Sequence, residues 1–163
     1  MMPTFAYQNQ TGMLNDTHFI EPASKEDHVP IVDLWETSVR ATHHFLDEAA
    51  IQFFKPLILN EFLQAVDLYY FKDEWGIITG FLGVADGKIE MLFVHPNQFG
   101  KGTGKKLLLF ANEKLGANHV DVNEQNEQAV GFYKHMGFEV VSRSETDGMG
   151  KPFPLLHMKL PVT

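Results

Sequence analysis

The stretch from Ile89 to Ala111 reads IEMLFVHPNQFGKGTGKKLLLFA, and it constrains the fold more than any other part of the chain. Ile89–Val94 is a β-branched and apolar run that reads as a strand, and Pro96 ends it. A turn with glycine at 100, 102 and 104 follows, then a helical pattern over Lys105–Leu115 that Gly116 terminates as a C′ residue. Alternating glycines at a helix N-terminus let the backbone approach a ligand closely and aim free N–H groups at an anion. Lys101 and Lys105 add positive charge there, although the chain as a whole has a net charge of −8. The chemistry suits a phosphate or pyrophosphate. A P-loop is a poor match, because Lys106 stands where Ser or Thr is needed and Phe99 where the first glycine is needed. The dinucleotide fingerprint fails on glycine spacing and on its late position in the chain.

The rest of the chain alternates between two periodicities. Residues 1–16 are polar and irregular and read as a mobile leader, with residues 17–163 as one domain. A short strand is expected over Thr17–Glu21. Asp27 can cap the helix that follows, with Pro30 in its first turn, and Ile31, Leu34, Trp35 and Val39 form its apolar stripe. A second helical region begins near Asp47, breaks at Pro56 and resumes over Leu57–Val66. Strands are expected at Leu68–Phe71 and Gly76–Val84, and Asp86-Gly87 reads as a hairpin turn into Ile89–Val94. His119–Val122 is a strand, Asn126–Met136 a helix, and Phe138–Ser142 and Leu155–Leu160 close the chain as strands. A mixed sheet covered by helices follows, in the α/β or α+β range.

Composition excludes several functions. With 163 residues, 44% hydrophobic, the chain can bury a core without disulfides, and it has no cysteine for thiol chemistry or Cys-ligated zinc. No run of about 18 apolar residues exists to span a membrane. The N-terminus does not read as a signal peptide, which makes the cytoplasm the expected location. The acidic balance disfavours nucleic acid and anionic membranes and suits a cationic partner. No His or acidic spacing matches a metal site, so no metal is expected.

The second informative stretch, VDVNEQNEQAVGFYKHMGFEVV, carries N-x-x-A-x-x-F-Y-x-x-x-G-F on Asn126, Ala129, Phe132, Tyr133, Gly137 and Phe138. Together with V-x-P-x-x-x-G-x-G-x-G at Val94–Gly104, it resembles the GNAT N-acetyltransferase superfamily over about Phe19 to Leu160. The segments Arg40–Leu46 and Gly150–Leu156 resemble a small bacterial branch of it. The resemblance implies a GNAT-like acyltransferase fold and transfer of acetyl from acetyl-CoA to a primary amine, by direct attack in a ternary complex. It implies that backbone groups of Leu92, Phe93 and Val94 hold the pantetheine arm. It further implies that Phe99, Gly100, Lys101, Gly102, Thr103, Gly104 and Lys105 take the pyrophosphate and that Asn126 contacts the pantetheine. Phe99 stands where the family usually has Arg or Gln, with Gln98 one residue early, so a side-chain contact with phosphate is missing while the backbone cradle is kept. The Tyr133 hydroxyl is implied as the acid for the leaving thiolate.

The amine acceptor, a small molecule or a protein, is expected near Arg40, Thr42, His43 and Phe45, between the first two helical regions. Glu90 or His43 is a candidate general base, since an unperturbed histidine near pKa ~6.5 suits that task. The blander readings are a core tyrosine at 133, a helix cap at Asn126, a solvated Glu90, and a surface or capping role for His43 and His44. A non-catalytic acyl-CoA-binding module and a nucleotide-binding protein are the rival functions. Monomer and homodimer are both compatible with the sequence.

Overall fold

A computed structural model describes residues 19–162, so the leader at 1–16 and the start of the expected first strand lie outside the described residues. Eleven strands and helices follow in the expected order: β1 (Ile20–Pro22), α1 (His28–Thr42), α2 (Glu48–Leu57), β2 (Asp67–Lys72), β3 (Ile78–Ala85), β4 (Lys88–Val94), α3 (Thr103–Leu115), β5 (His119–Asn123), α4 (Glu127–His135), β6 (Glu139–Ser144) and β7 (Leu155–Lys159). The strands form one sheet in the order β1-β2-β3-β4-β5-β7-β6. Every pairing is antiparallel except β4 with β5.

Each face of the sheet buries its own core. On one face α3 and α4 cover Leu82, Val84, Ile89, Val120, Val122 and Met158. On the other, α1 and α2 cover Leu68, Tyr70, Phe81 and Met91. The stripe read from the sequence, Ile31, Leu34, Trp35 and Val39, is the buried side of α1. Gly80 lets α3 come close, since a Cβ there would stand 2.9 Å from Leu107 Cδ1. Asp86 and Gly87 both have positive φ, the signature of a type I′ two-residue hairpin between β3 and β4.

Three local expectations need correction. Asp27 does not cap α1 with its side chain. Its carboxylate accepts from the Ser24 N–H at 2.9 Å, because a 3₁₀ turn over Lys25–Asp27 precedes the helix and moves the capping role to Ser24. The second helix does not break at Pro56. Asp47 caps α2 by accepting from Ala50 N–H at 2.8 Å, the helix runs through Pro56 to Leu57, and one π-helical turn over Ile58–Phe62 follows. Proline in a last turn costs one hydrogen bond, and the wide turn after it accommodates the loss. Finally, α3 begins at Thr103 rather than Lys105, with Gly102 as its N-cap.

Candidate active site

The parallel pairing of β4 with β5 covers only Lys88 with His119 and Ile89 with Val120. Beyond that point the two strands part. The cause lies in β4. Met91 pairs with Gly83 and Ile89 pairs with Val84, so Glu90 is an extra residue with no partner on β3. Such a bulge bends its strand and ends pairing. The split between the strands opens into a cavity of about 560 Å³, lined from β4, β5, α4, the end of α1 and the loop before α3.

The gap is bordered by free backbone. His95 N–H donates to the Thr79 carbonyl at 2.8 Å, so by strand alternation the Phe93 backbone also faces β3, and the Leu92 and Val94 backbones face the gap. This corrects the expectation for Phe93, whose main chain belongs to the β3 ladder. Phe93 contributes its ring, stacked on Phe81 at 5.5 Å and 6.0 Å from His43.

At the other end of the gap stands the glycine loop. Gly100 and Gly102 have φ of 76° and 86°, a region that suits only glycine without strain, and a Cβ on either would meet nothing within 4 Å. The space a side chain would fill at both positions is therefore open. Lys106 N–H makes a helical bond to the Gly102 carbonyl at 3.0 Å, which leaves the N–H groups of Thr103, Gly104 and Lys105 without an intrahelical acceptor. Gln98, Phe99, Gly100, Gly102, Gly104 and Lys105 line the cavity. Lys101 and Thr103 do not; Lys101 is exposed and Thr103 is buried at the start of the helix. The donors form an anion cradle at a helix N-terminus, and they fit the pyrophosphate of CoA.

Tyr133 reaches the cavity from α4. Its ring is 7% exposed and packs edge-on against Phe132 at 5.2 Å and Phe138 at 5.5 Å. Burial pushes its hydroxyl above the usual phenol range, so the group stays protonated at neutral pH.

Asn126 caps α4 through Oδ1, which accepts from Ala129 N–H at 3.2 Å, and its Nδ2 lies 3.3 Å from His43 Nε2. Thr42 Oγ1 lies 2.8 Å from His43 Nδ1 and donates to the Ser38 carbonyl at 2.9 Å. These bonds fix one tautomer. His43 Nδ1–H donates to Thr42, and Nε2 accepts from Asn126. Burial lowers the His43 pKa to about 4, and His44 adds to the shift. A pKa near 6.5 is therefore not available to His43. Its acceptor nitrogen takes the Asn126 bond, and the lowered pKa makes it a weaker base than a free imidazole at neutral pH.

The remaining expected residues separate. Thr42, His43, Glu90, Asn126 and Tyr133 line the cavity, whereas Arg40 and Phe45 do not. Arg40 forms a two-pronged ion pair with Glu48, at 2.7 and 2.9 Å, and also binds Glu36, which ties α1 to α2. Phe45 packs on His43 at 5.2 Å and on Phe153 at 6.0 Å, bringing the two branch-like segments together. Sequence reading missed Asp121 and Asn123 on β5, both of which line the cavity. Their alternation with buried Val120 and Val122 is the signal that could have found them.

A family model described as an acetyltransferase (GNAT) domain matches residues 36–161. The chain belongs to the GNAT acetyltransferase family. The peptidyl-lysine N-acetyltransferase YjaB of Salmonella typhimurium is 37% identical over 142 residues, covering 87% of this chain and 97% of that protein. The solution structure of apo YjaB from Escherichia coli superposes with a TM-score of 0.79 at 35% identity, over 88% of this chain and 97% of that one. The PaiA N-acetyltransferase of Thermoplasma acidophilum, in complex with coenzyme A, shares the fold with a TM-score of 0.66 at 24% identity, over 87% and 98% of the two chains. This GNAT chain is an acyltransferase that moves acetyl from acetyl-CoA to an amine. Among the described residues no helix is long and apolar enough to cross a membrane.

Proposed function

We propose that the acceptor is the ε-amine of lysyl side chains in proteins and that transfer is direct, within a ternary complex. The observation that carries this reading is the split after the Glu90 bulge. It brings a free strand edge, an anion cradle and a buried tyrosine to one cavity. The 37% identity to a peptidyl-lysine N-acetyltransferase supports the acceptor, as does the net charge of −8.

The residues divide the work as follows. The N–H groups of Thr103, Gly104 and Lys105 and the Lys105 side chain hold the pyrophosphate. The pantetheine arm lies along the Leu92–Val94 edge as an added strand, beside Asn126. The lysyl ammonium gives up one proton, for which Glu90 at the bulge is the acceptor, directly or through water. The neutral nitrogen attacks the thioester carbon, and a backbone N–H of the β4 edge stabilises the developing oxyanion. The carbon–sulfur bond then breaks, and the nitrogen's second proton replaces the one that Tyr133 gives to the leaving sulfur. Tyr133, a phenol protonated at neutral pH, donates its proton to the departing thiolate. The products are the acetylated lysine, CoA thiol and one released proton. The same reading places the reaction in the cytoplasm.

The test mixes the chain with acetyl-CoA and a lysyl peptide, following thiol release and the position of the added acetyl group by mass spectrometry. Stoichiometric release with acetyl on the lysine ε-nitrogen is expected. Acetylation confined to the peptide α-amine would overturn the acceptor. Binding of acetyl-CoA with no thiol release would point to a non-catalytic module.

A further inference from the structure

One connected set of polar side chains at the cavity wall has no part in the reading above. Asp121 on β5 faces away from the core of Val120 and Val122 and lines the cavity. His157 Nδ1 on β7 lies 2.6 Å from Asp121 Oδ1, and Ser144 Oγ on β6 lies 2.6 Å from His157 Nε2. Lys88 Nζ lies 2.5 Å from Asp121 Oδ2 and 3.9 Å from Glu90 Oε1. Because β5, β7 and β6 are neighbours, the three side chains cross adjacent strands.

An ionised carboxylate can only accept. His157 Nδ1–H therefore donates to Asp121, and Nε2 accepts from the Ser144 hydroxyl. This is also the order of groups in a hydrolase triad. The placement argues against that use. Ser144 sits on the edge strand, with β7 between it and β5, and the member that reaches the cavity is the carboxylate. What the cavity presents to a ligand is an oriented carboxylate whose charge Lys88 partly offsets, beside a second carboxylate at Glu90. A carboxylate has about four lone-pair sites, and His157 and Lys88 occupy two. Burial pushes Asp121 upward, but hydrogen bonds from Lys88 and His157 outweigh it and hold the carboxyl below its usual range. So held, it is a poor base and a good ammonium acceptor. Lys88 supplies a direct example, since its own ammonium already lies against Asp121 and Glu90.

We propose that Asp121 anchors the acceptor's ammonium and selects primary aliphatic amines, with His157 as its positioning residue and Ser144 bonded to the far nitrogen of that histidine. The proposal rests on the lysyl reading above and deepens it. Asp121 binds the amine, and Glu90 is left to take the proton.

Two peptides that differ only in lysine against norleucine would be titrated by calorimetry into the full chain saturated with CoA. Wild type is expected to prefer lysine by about tenfold or more, the range of a hydrogen bond to a charged group. Asp121→Asn should bring the two peptides within about threefold of each other, with the fold and CoA affinity retained at a modest cost in thermal stability. His157→Ala should lose most of the preference, and His157→Asn, which keeps an N–H near the Nδ1 position, should restore it. In turnover, Asp121→Asn should raise KM for the lysyl peptide with little change in kcat. A wild type without preference, or an Asp121→Asn variant that keeps it, would overturn the anchor. So would a fall in kcat at constant KM, which would make Asp121 the base. Selective lysine binding without acetyl transfer would sink the lysine acetylation reading and leave the anchor standing. Lysine acetylation that Asp121→Asn does not affect would do the reverse.

Discussion

Tyr133→Phe removes a single hydroxyl from the wall of the cavity. Its ring packing against Phe132 and Phe138 is kept, and no described residue hydrogen-bonds the hydroxyl, so no buried partner is orphaned. The stability cost is therefore expected to stay below about 1 kcal/mol. The catalytic cost is a different quantity. Loss of one positioned donor to the leaving group removes roughly 10²–10⁴ in rate, about 3–5 kcal/mol of barrier. Single-turnover release of CoA thiol isolates the chemical step from product release. The expected result is a folded enzyme with wild-type affinity for acetyl-CoA and a rate constant lower by at least two orders of magnitude. A Tyr133→Phe variant with the wild-type single-turnover rate would refute the assignment, since nothing else about the side chain has changed. The raised pKa has a sign of its own. A phenol lifted by burial contributes no pH dependence to stability below its unfolded pKa near ~10. Above that, wild type should lose stability with rising pH, and Tyr133→Phe should lose less.

The other predictions concern the cavity's supports. His43 is held neutral with a pKa of about 4, so wild type should lose stability as pH falls from about 6.5 to 4, by up to roughly 3 kcal/mol, and His43→Asn should flatten that part of the urea-denaturation profile. Asn126→Ala removes the α4 cap and the donor to His43, and should cost about 1–2 kcal/mol in the same assay. Gly102→Val forces a β-branched residue to a φ of 86° at the mouth of the cradle, and should weaken CoA binding by more than about tenfold in calorimetry while the fold survives.

What the sequence reveals here depends on how local the cause is. The helix stripe at Ile31, Leu34, Trp35 and Val39, the Asp86-Gly87 turn and the 100–104 loop are written in consecutive residues, and each lies where it is expected. Pro56 is misleading because a proline penalty depends on its place in a helix whose end the sequence does not mark. The bulge at Glu90 is a matter of register between β3 and β4, which a single strand does not specify. Asp121, His157 and Ser144 are separated by 36 and 13 residues, and only the β5-β7-β6 order brings them together. Two adjacent histidines before a helix look like surface residues. One of them, His43, is half-buried against Phe45 and Phe93 at the α1–α2 junction.

The two faces of the sheet supply different chemistry to the same opening. The anion cradle belongs to α3, on the face packed around Leu82 and Val122, and the acidic residues Glu90 and Asp121 stand at the opposite end of the electrostatic scale. In the proposed reaction an anionic donor and a cationic acceptor each meet groups of opposite sign. The split that lets them meet follows from one extra residue in β4. Without the bulge, β4 would keep pairing with β5, and its Leu92–Val94 edge would be consumed in a ladder instead of facing the cavity. The backbone donors that the proposed mechanism uses at the thioester are therefore free for the same reason that the cavity exists.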